Sequence, residues 1–463
     1  MSWQSASLRY DKHDILDPDM SSFAVFVGER SENFEQASHE IRFTSPQDQR
    51  FSWMVGAYDQ EHDLTTSIQV HLPWTFDIPA FLFGAPPNPA NAGYSAISYG
   101  GPLVENSKWT SVFFSTTWNV SDSFRINVGG RRQSIDKTGI ENPMLARLPT
   151  GGTAYEPLTA SGPPVSGRVD TSDFLPEVGV QWDASDAVMV YAKYSEALKA
   201  GGFVKSPPIG GAVANPFTYD NEVAEGFEVG VKGLLFDGRL LLNASYYNTD
   251  FTDLQVTILN PDTAAFETQN AAAAHTKGFE FDGRWAVTDN FSVGFAGSVS
   301  EAKYDNYVGP NCNSLETKIG PVGRCQFSAA NPTALVFNAN GVTLPYAPDW
   351  AINVQPEYRL GGDEFDVSVS ANMVWSDGFS IAGVDGDPLN QADEYMRIDL
   401  RLTIVPMEGN WEVALYGRDV TDERRQHTNA FSFLSRSLAP VYDANGVGRE
   451  RGARYGVQLR YFF

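Results

Sequence analysis

The strongest constraint on this chain is a period of two. Over 365–373, Phe365, Val367, Val369, Ala371 and Met373 alternate with Asp366, Ser368, Ser370 and Asn372. Over 396–404, Met396, Ile398, Leu400, Leu402 and Ile404 alternate with Arg397, Asp399, Arg401 and Thr403. Phe279, Phe281 and Trp285 stand against Glu280, Asp282 and Arg284, and Phe291, Val293, Phe295 and Val299 against Ser292, Gly294, Ala296 and Ser298. Successive side chains of a strand point to opposite faces, so each segment predicts a strand with one apolar and one polar face. No stretch approaches the roughly 20 apolar residues of a membrane helix. About 16 strands are predicted between 2–12 and 449–463, and the chain reads as all-β.

The connections alternate in length. Tight turns rich in Asp, Gly, Asn and Ser fall at 46–50, 120–123, 183–186, 236–238, 288–290, 361–363 and 406–410. Between them lie longer connections, read as about 62–106, 138–170, 305–348 and 422–448. Short periplasmic turns on one rim and long extracellular loops on the other predict a transmembrane antiparallel β-barrel. Trp118, Phe124, Trp182, Phe236, Trp285, Phe291 and Trp411 lie beside the short turns, where aromatic rings would form an interfacial girdle. Ordinary core aromatics are the bland alternative. The polar face carries Glu40, Arg42, Arg125, Arg131, Glu228, Lys232, Glu280, Asp282, Arg284, Arg397, Asp399, Arg401, Glu412 and Arg418. Periodicity alone does not separate inside from outside. The loop asymmetry and the girdle place these charges in a wet lumen and the apolar face on lipid.

Composition then removes whole classes of function. The net charge of −24 argues against nucleic acid, which needs clustered Lys and Arg. With 13% aromatic and 19% charged residues, the chain is not disordered. No metalloprotease, nucleophile-elbow or phosphate-loop motif occurs, Gly446-Val447-Gly448 opens no helix, and the six His are scattered. Glu61-His62-Asp63 reads as a polar strand end rather than a metal fragment. No catalytic residue, cofactor or metal site is expected. Cys312 and Cys325 lie in the loop 305–348. An extracellular, oxidising setting favours a disulfide there, with two free thiols as the alternative. Trp74, Phe76, Phe81, Phe83, Tyr94 and Tyr99 fall in the loop read as 62–106, where aromatics suggest either ligand contact or loop packing.

The chain ends Arg454-Tyr455-Gly456-Val457-Gln458-Leu459-Arg460-Tyr461-Phe462-Phe463. Gly456, Leu459, Tyr461 and the final Phe463 resemble an outer-membrane assembly signal. Further phrases follow in order: Tyr191-Ala192-Lys193-Tyr194-Ser195 with Lys199-Ala200-Gly201-Gly202-Phe203, Glu228-Val229-Gly230-Val231-Lys232, Phe236-Asp237-Gly238-Arg239-Leu240, Lys277-Gly278-Phe279-Glu280, Pro348-Asp349-Trp350, and Asp419-Val420-Thr421-Asp422. Together these resemble the barrel of TonB-dependent outer-membrane receptors.

That resemblance implies a barrel of about 22 strands filled by an N-terminal plug, with residues 1–463 as its C-terminal part. No plug, TonB-contact segment or leader is read in this chain. The implied function is non-enzymatic uptake of a scarce nutrient in a Gram-negative outer membrane. An iron–siderophore chelate is the first expectation, with cobalamin or a glycan behind it. Expected partners are outer-membrane lipid, the barrel assembly machinery and the nutrient, with TonB coupled only through the plug and no nucleic acid. The competing readings are a 16-stranded passive porin, a non-functional truncated barrel fragment and a soluble all-β protein. An open or strained sheet, unpaired along 2–12 and 450–463, is also expected.

Overall fold

A computed structural model describes the chain except for residues 17–26, 47, 73–93, 150–158, 161–162, 205–216, 261–264, 313–315, 317–318, 330–334, 382–389, 432–444 and 450. Sixteen long strands follow one another: β1 (Ser2–Leu16), β2 (Val27–Thr44), β3 (Phe51–Leu72), β4 (Tyr94–Asn119), β5 (Phe124–Glu141), β6 (Val165–Ser185), β7 (Val188–Lys199), β8 (Glu222–Leu235), β9 (Leu240–Asn260), β10 (Ala265–Ala286), β11 (Phe291–Asn306), β12 (Trp350–Gly361), β13 (Phe365–Ser376), β14 (Tyr395–Pro406), β15 (Trp411–Arg418) and β16 (Arg454–Tyr461). Each pairs antiparallel with its sequence neighbours, and two short strands, Met144–Pro149 and Thr159–Ala160, extend the same sheet beside β4. The result is a transmembrane β-barrel wall. Among the described residues no ladder joins β1 to β16.

Seven connections are short, joining β2–β3, β4–β5, β6–β7, β8–β9, β10–β11, β12–β13 and β14–β15. In an antiparallel meander successive connections fall on alternate rims, so all seven share one. The other rim takes the longer connections, together with the four-residue link 261–264 between the tall strands β9 and β10. At the β8–β9 turn the Arg239 N–H donates to the Phe236 carbonyl (3.1 Å), and the two residues between them, Asp237 and Gly238, both adopt positive φ (54° and 83°), the backbone that matches the twist of a hairpin. Phe236 is held out at the rim, 67% exposed.

One face is apolar and bare. From the short-turn rim upward, it presents Phe51, Trp53, Val55 and Ala57 on β3, and Trp118, Thr116, Phe114 and Val112 on β4. On β10 it presents Trp285, Gly283, Phe281 and Phe279, and on β14 Pro406, Ile404, Leu402, Leu400 and Ile398. Cross-strand register keeps these on one side, as in the row Tyr246↔Phe279↔Val299↔Trp350. Phe365, Val369, Leu400 and Leu459 are all exposed on it.

Higher up, the same face turns polar within one side-chain step: Ala57 gives way to Asp59, Phe279 to Lys277, and Val299 to Glu301. Just below that step runs a second aromatic belt, Phe174, Tyr194, Phe227, Tyr246 and Phe279, which the sequence reading missed. It stands eight residues above Trp182 on β6 and six above Trp285 on β10. At about 3.3 Å per residue that is roughly 20–26 Å along strands tilted by about 35–45°, or roughly 15–20 Å of height, which fits within the ~25 Å apolar band of outer-membrane barrels.

The loop boundaries need correction. β3 runs to Leu72 and β4 begins at Tyr94, so much of the expected loop 62–106 is strand, as are the ends of 138–170. Glu61-His62-Asp63 lies inside β3 rather than at its end, with Glu61 and Asp63 on the outer face and His62 on the inner. Above the membrane both faces of a strand can be polar, which erases the apolar alternation that marks a strand.

Candidate functional site

The inner face is a polar wall. The charges read as lumenal lie on it, and they pair across strands. Arg125 grips Asp183 with both terminal nitrogens (2.7 and 2.6 Å), Lys193 meets Glu228 (2.9 Å), and Arg284 meets Glu357 (3.0 Å). Tyr191 donates to Glu228, and the Asn353 amide donates to Asn372 (2.7 Å). Such pairs are stable here because the lumen supplies water on the other side. The same residues on the outer face would be charges in hydrocarbon.

Above the membrane, two apolar clusters are built against this inner face. In the first, the hairpin Gly202–Phe203 with Thr218–Tyr219 leans on β4–β6, and Phe203 and Phe217 pack with Leu103 and Val169. Close approach requires glycine at Gly139, where a Cβ would come within 2.6 Å of the Phe203 ring. Side-chain amides pin the hairpin ends. Asn221 donates to Thr171 (2.7 Å), Gln255 to the carbonyl of Asp220 (3.1 Å), and Asn270 to the carbonyl of Asp220 (2.8 Å). On the same wall Glu105 sits between His62 (3.5 Å) and Lys137 (3.7 Å). Burial works to raise its pKa, but the His62 hydrogen bond and the Lys137 charge outweigh it and leave the carboxyl below its usual range.

In the second cluster, Val308–Asn311, Cys325–Phe327 and Leu335–Asn338 form a small sheet on the inner face of β9–β11. Cys312 and Cys325 are joined in a disulfide (Cα–Cα 5.6 Å), and Tyr304, Tyr307, Phe337, Ala272 and Ala274 surround it. The one grouping of potential metal ligands among the described residues is Cys312, Glu316 and Cys325, and both its sulfurs are spent in that bond.

Beside these, three long-rim loops meet in an aromatic–arginine cluster. The Arg425 guanidinium lies 4.2 Å from the Tyr395 ring centre and 5.5 Å from that of Phe379, and Phe379 is 6.1 Å from Tyr346. The backbone N–H of Tyr346 donates to the Ser380 carbonyl (2.7 Å), which ties two of the loops together. A stacked guanidinium with an exposed tyrosine beside it can hold a flat or anionic solute group. The sequence reading missed this cluster, because its members come from separate loops with no shared spacing.

Of the loop aromatics singled out in the sequence, Trp74, Phe76, Phe81 and Phe83 lie outside the described residues. Tyr94 and Tyr99 are not in a loop but in β4, at positions opposite Pro149 and Leu145. At the C-terminus, Leu459 and Tyr461 project from the outer face of β16, and the Phe463 ring packs edge-on against Tyr461 (5.1 Å). Gly456 leaves room for Tyr416, whose hydroxyl would come within 2.4 Å of a Cβ there.

A bare apolar band, a wet charged inner wall and loops gathered over one mouth form a recognisable set. The family model described as TonB dependent receptor-like, beta-barrel matches residues 2–420. The chain belongs to the TonB-dependent receptors. Members of this family are Gram-negative outer-membrane receptors and transporters rather than enzymes.

Among curated relatives, the chain is 24% identical over 350 residues to the ferric-pyoverdine M114 receptor PbuA of Pseudomonas sp. (74% of this chain, 36% of that protein). It is 25% identical over 302 residues to the probable TonB-dependent siderophore receptor PiuA of Acinetobacter baumannii (63% and 34%). It thus spans about a third of the length of these relatives. The crystal structure of the ferric yersiniabactin uptake receptor FyuA from Yersinia pestis superposes with TM-score 0.69 at 13% identity, covering 100% of this chain and 59% of that one. The PiuA crystal structure gives 0.62 at 14%, covering 99% and 61%. At such identities the likeness is one of fold.

Proposed function

We propose that this chain forms the membrane-spanning wall and mouth of an outer-membrane receptor that imports a ferric siderophore. The carrying observation is the sidedness of the sheet, bare and apolar outside, charged and paired inside, with an aromatic–arginine cluster over the lumen. Curated relatives named as ferric-pyoverdine and siderophore receptors support the ligand class. In this reading Tyr346, Phe379, Tyr395 and Arg425 contact the chelate at the mouth. The aromatics of 74–99 remain a second candidate set for that contact. Gly456, Leu459, Tyr461 and Phe463 present the strand that the barrel assembly machinery engages, and outer-membrane lipid covers the apolar band. Coupling to TonB runs through a plug domain, and the wall takes no part in it.

The test is uptake of radioactive iron by cells from which the gene is deleted, supplied with one purified ferric siderophore at a time under iron limitation. Loss of uptake for one chelate, restored by the intact gene and reduced by Arg425→Ala, is the expected result. Unchanged uptake of every ferric chelate, with altered permeation of small uncharged solutes instead, contradicts it.

A further inference from the structure

The chain carries a net charge of −24, yet on its inner wall two arginines stand opposite each other with no carboxylate paired to either among the described residues. Arg418, the last residue of β15, is in register with Arg454, the first of β16, and both occupy inner-face positions. Like charges directly opposed across a strand pair are destabilising. Neither side chain makes an ion pair among the described residues, and Arg418 rests only against the Tyr416 ring, 5.8 Å from its centre.

Among the described residues, four nearby carboxylates are already committed. Asp399 accepts the backbone N–H of Asp419 (2.7 Å). Asp419, itself 4% exposed, accepts the N–H of Glu423 (3.0 Å) and the Thr421 hydroxyl (3.1 Å). Asp422 accepts the N–H of Ala453 (3.0 Å) and pairs with Arg424 (3.3 Å). Glu412 is shared between Arg401 and Arg460, at 3.4 Å each. These contacts fix the end of the β15–β16 hairpin and, among the described residues, leave the two guanidinium groups without a carboxylate partner on the wall. Arg418, though not Arg454, lines a recess of about 1070 Å³ whose walls add Arg401, Asn372 and Gln458, together with the carboxylates of Asp399, which accepts the Asp419 N–H, and Glu357, which is paired with Arg284 and Arg359.

From this geometry we infer that Arg418 and Arg454 form a binding site for a carboxylate-bearing solute on the inner wall. A guanidinium presents two parallel N–H donors to a carboxylate, and two opposed guanidiniums fit a solute with more than one such group. Binding also removes the repulsion that the empty pair carries. The inference rests on the uptake reading and adds to it the charge of the solute on its way through the wall.

Citrate is the probe, added to the full chain refolded in detergent micelles at constant ionic strength, with glycerol as an uncharged control. The readout is the apparent melting midpoint, and heat-modifiable gel migration confirms folding. The wild-type midpoint should rise saturably with citrate and not with glycerol. Arg418→Gln and Arg454→Gln should each weaken citrate binding about tenfold, the scale of one lost charge-assisted contact. Without citrate each should melt at or above the wild-type midpoint, because a like-charge contact has been removed. Arg418→Lys and Arg454→Lys, which keep the charge but lose the fork, should fall between, and they carry the test if a Gln variant does not refold. An equal citrate response in wild type and the double Gln variant overturns the inference, as does no response in wild type. A lower citrate-free midpoint in the Gln variants also overturns it and assigns the arginines to a protein carboxylate. None of these results bears on which ferric chelate the cell takes up.

Discussion

β3, β4, β6, β9 and β10 are 21 to 26 residues long, whereas β12–β16 are 8 to 12. A tilted strand needs about 9–11 residues to cross the hydrocarbon. The short strands therefore stop near the edge of the bilayer, and the long ones continue about as far again beyond it. The two sectors hold that wall by different means. In the short sector the outer face is apolar nearly throughout and lipid is its packing partner. In the extensions the outer face is a ladder of ion pairs, Lys108–Glu61 (2.6 Å), Arg168–Asp136 (2.9 Å) and Lys277–Glu301 (2.7 Å), and the inner face is covered by protein. The same antiparallel backbone serves two solvents, and side-chain chemistry changes where the solvent does.

The largest effect should come from removing the cover of an extension. Phe203→Ala empties a buried ring site, and Phe→Ala in a packed core costs about 3–5 kcal/mol. The cost should stay local: limited proteolysis should cut near 200–221 faster, while the heat-modifiable gel shift of the barrel is retained. Next is one substitution placed in both sectors. Leu400→Arg puts a charge on lipid, at about 2–4 kcal/mol. Thr110→Arg, on the same face of the extended β4, adds a charge to a polar surface and should change the urea midpoint of bilayer-folded protein hardly at all. Equal losses from the two would erase the distinction between the sectors.

Breaking the Cys312–Cys325 bond with Cys325→Ser should loosen the small mouth sheet by about 3 kcal/mol in the chain-entropy model. Hydrogen exchange should rise in 304–339 and stay unchanged in β12–β16. The smallest effect is acid sensitivity of the extensions. Glu301, beyond the membrane span on β11, is held down to about 2 by hydrogen bonds from Lys277, Lys303 and His275. A depressed carboxyl contributes stability above its unfolded pKa of 4.5 and loses it as pH falls toward the folded value. Exchange in the β10–β11 extension should therefore rise between pH 4.5 and 2, and Glu301→Gln should flatten that response.

The contrast also marks what could be read in the sequence. The seven short turns and the outward positions Phe365, Leu400 and Leu459 were legible, because within the bilayer every second residue must be apolar. Beyond it that requirement lapses, so Glu61-His62-Asp63 looked like a strand end although β3 continues through it to Leu72. The inner charges were legible as a set but not as pairs, since Arg125–Asp183 and Arg284–Glu357 join residues 58 and 73 positions apart. The mouth cluster was invisible for a related reason. Tyr346, Phe379 and Arg425 meet only because three loops converge, and loop convergence leaves no period in the sequence.

The change of solvent along one strand can be measured directly. Single nitroxide labels at the outer positions 118, 116, 114, 112, 110 and 108 of β4, in protein folded into lipid bilayers, report collisions with oxygen, which partitions into hydrocarbon, and with a water-soluble nickel complex. Labels at 118 through 112 should favour oxygen, and those at 110 and 108 should favour nickel, with the crossover between Val112 and Thr110. Uniform nickel accessibility along the whole series, or a crossover several positions away, would contradict a lipid-facing band that ends where the side chains turn polar.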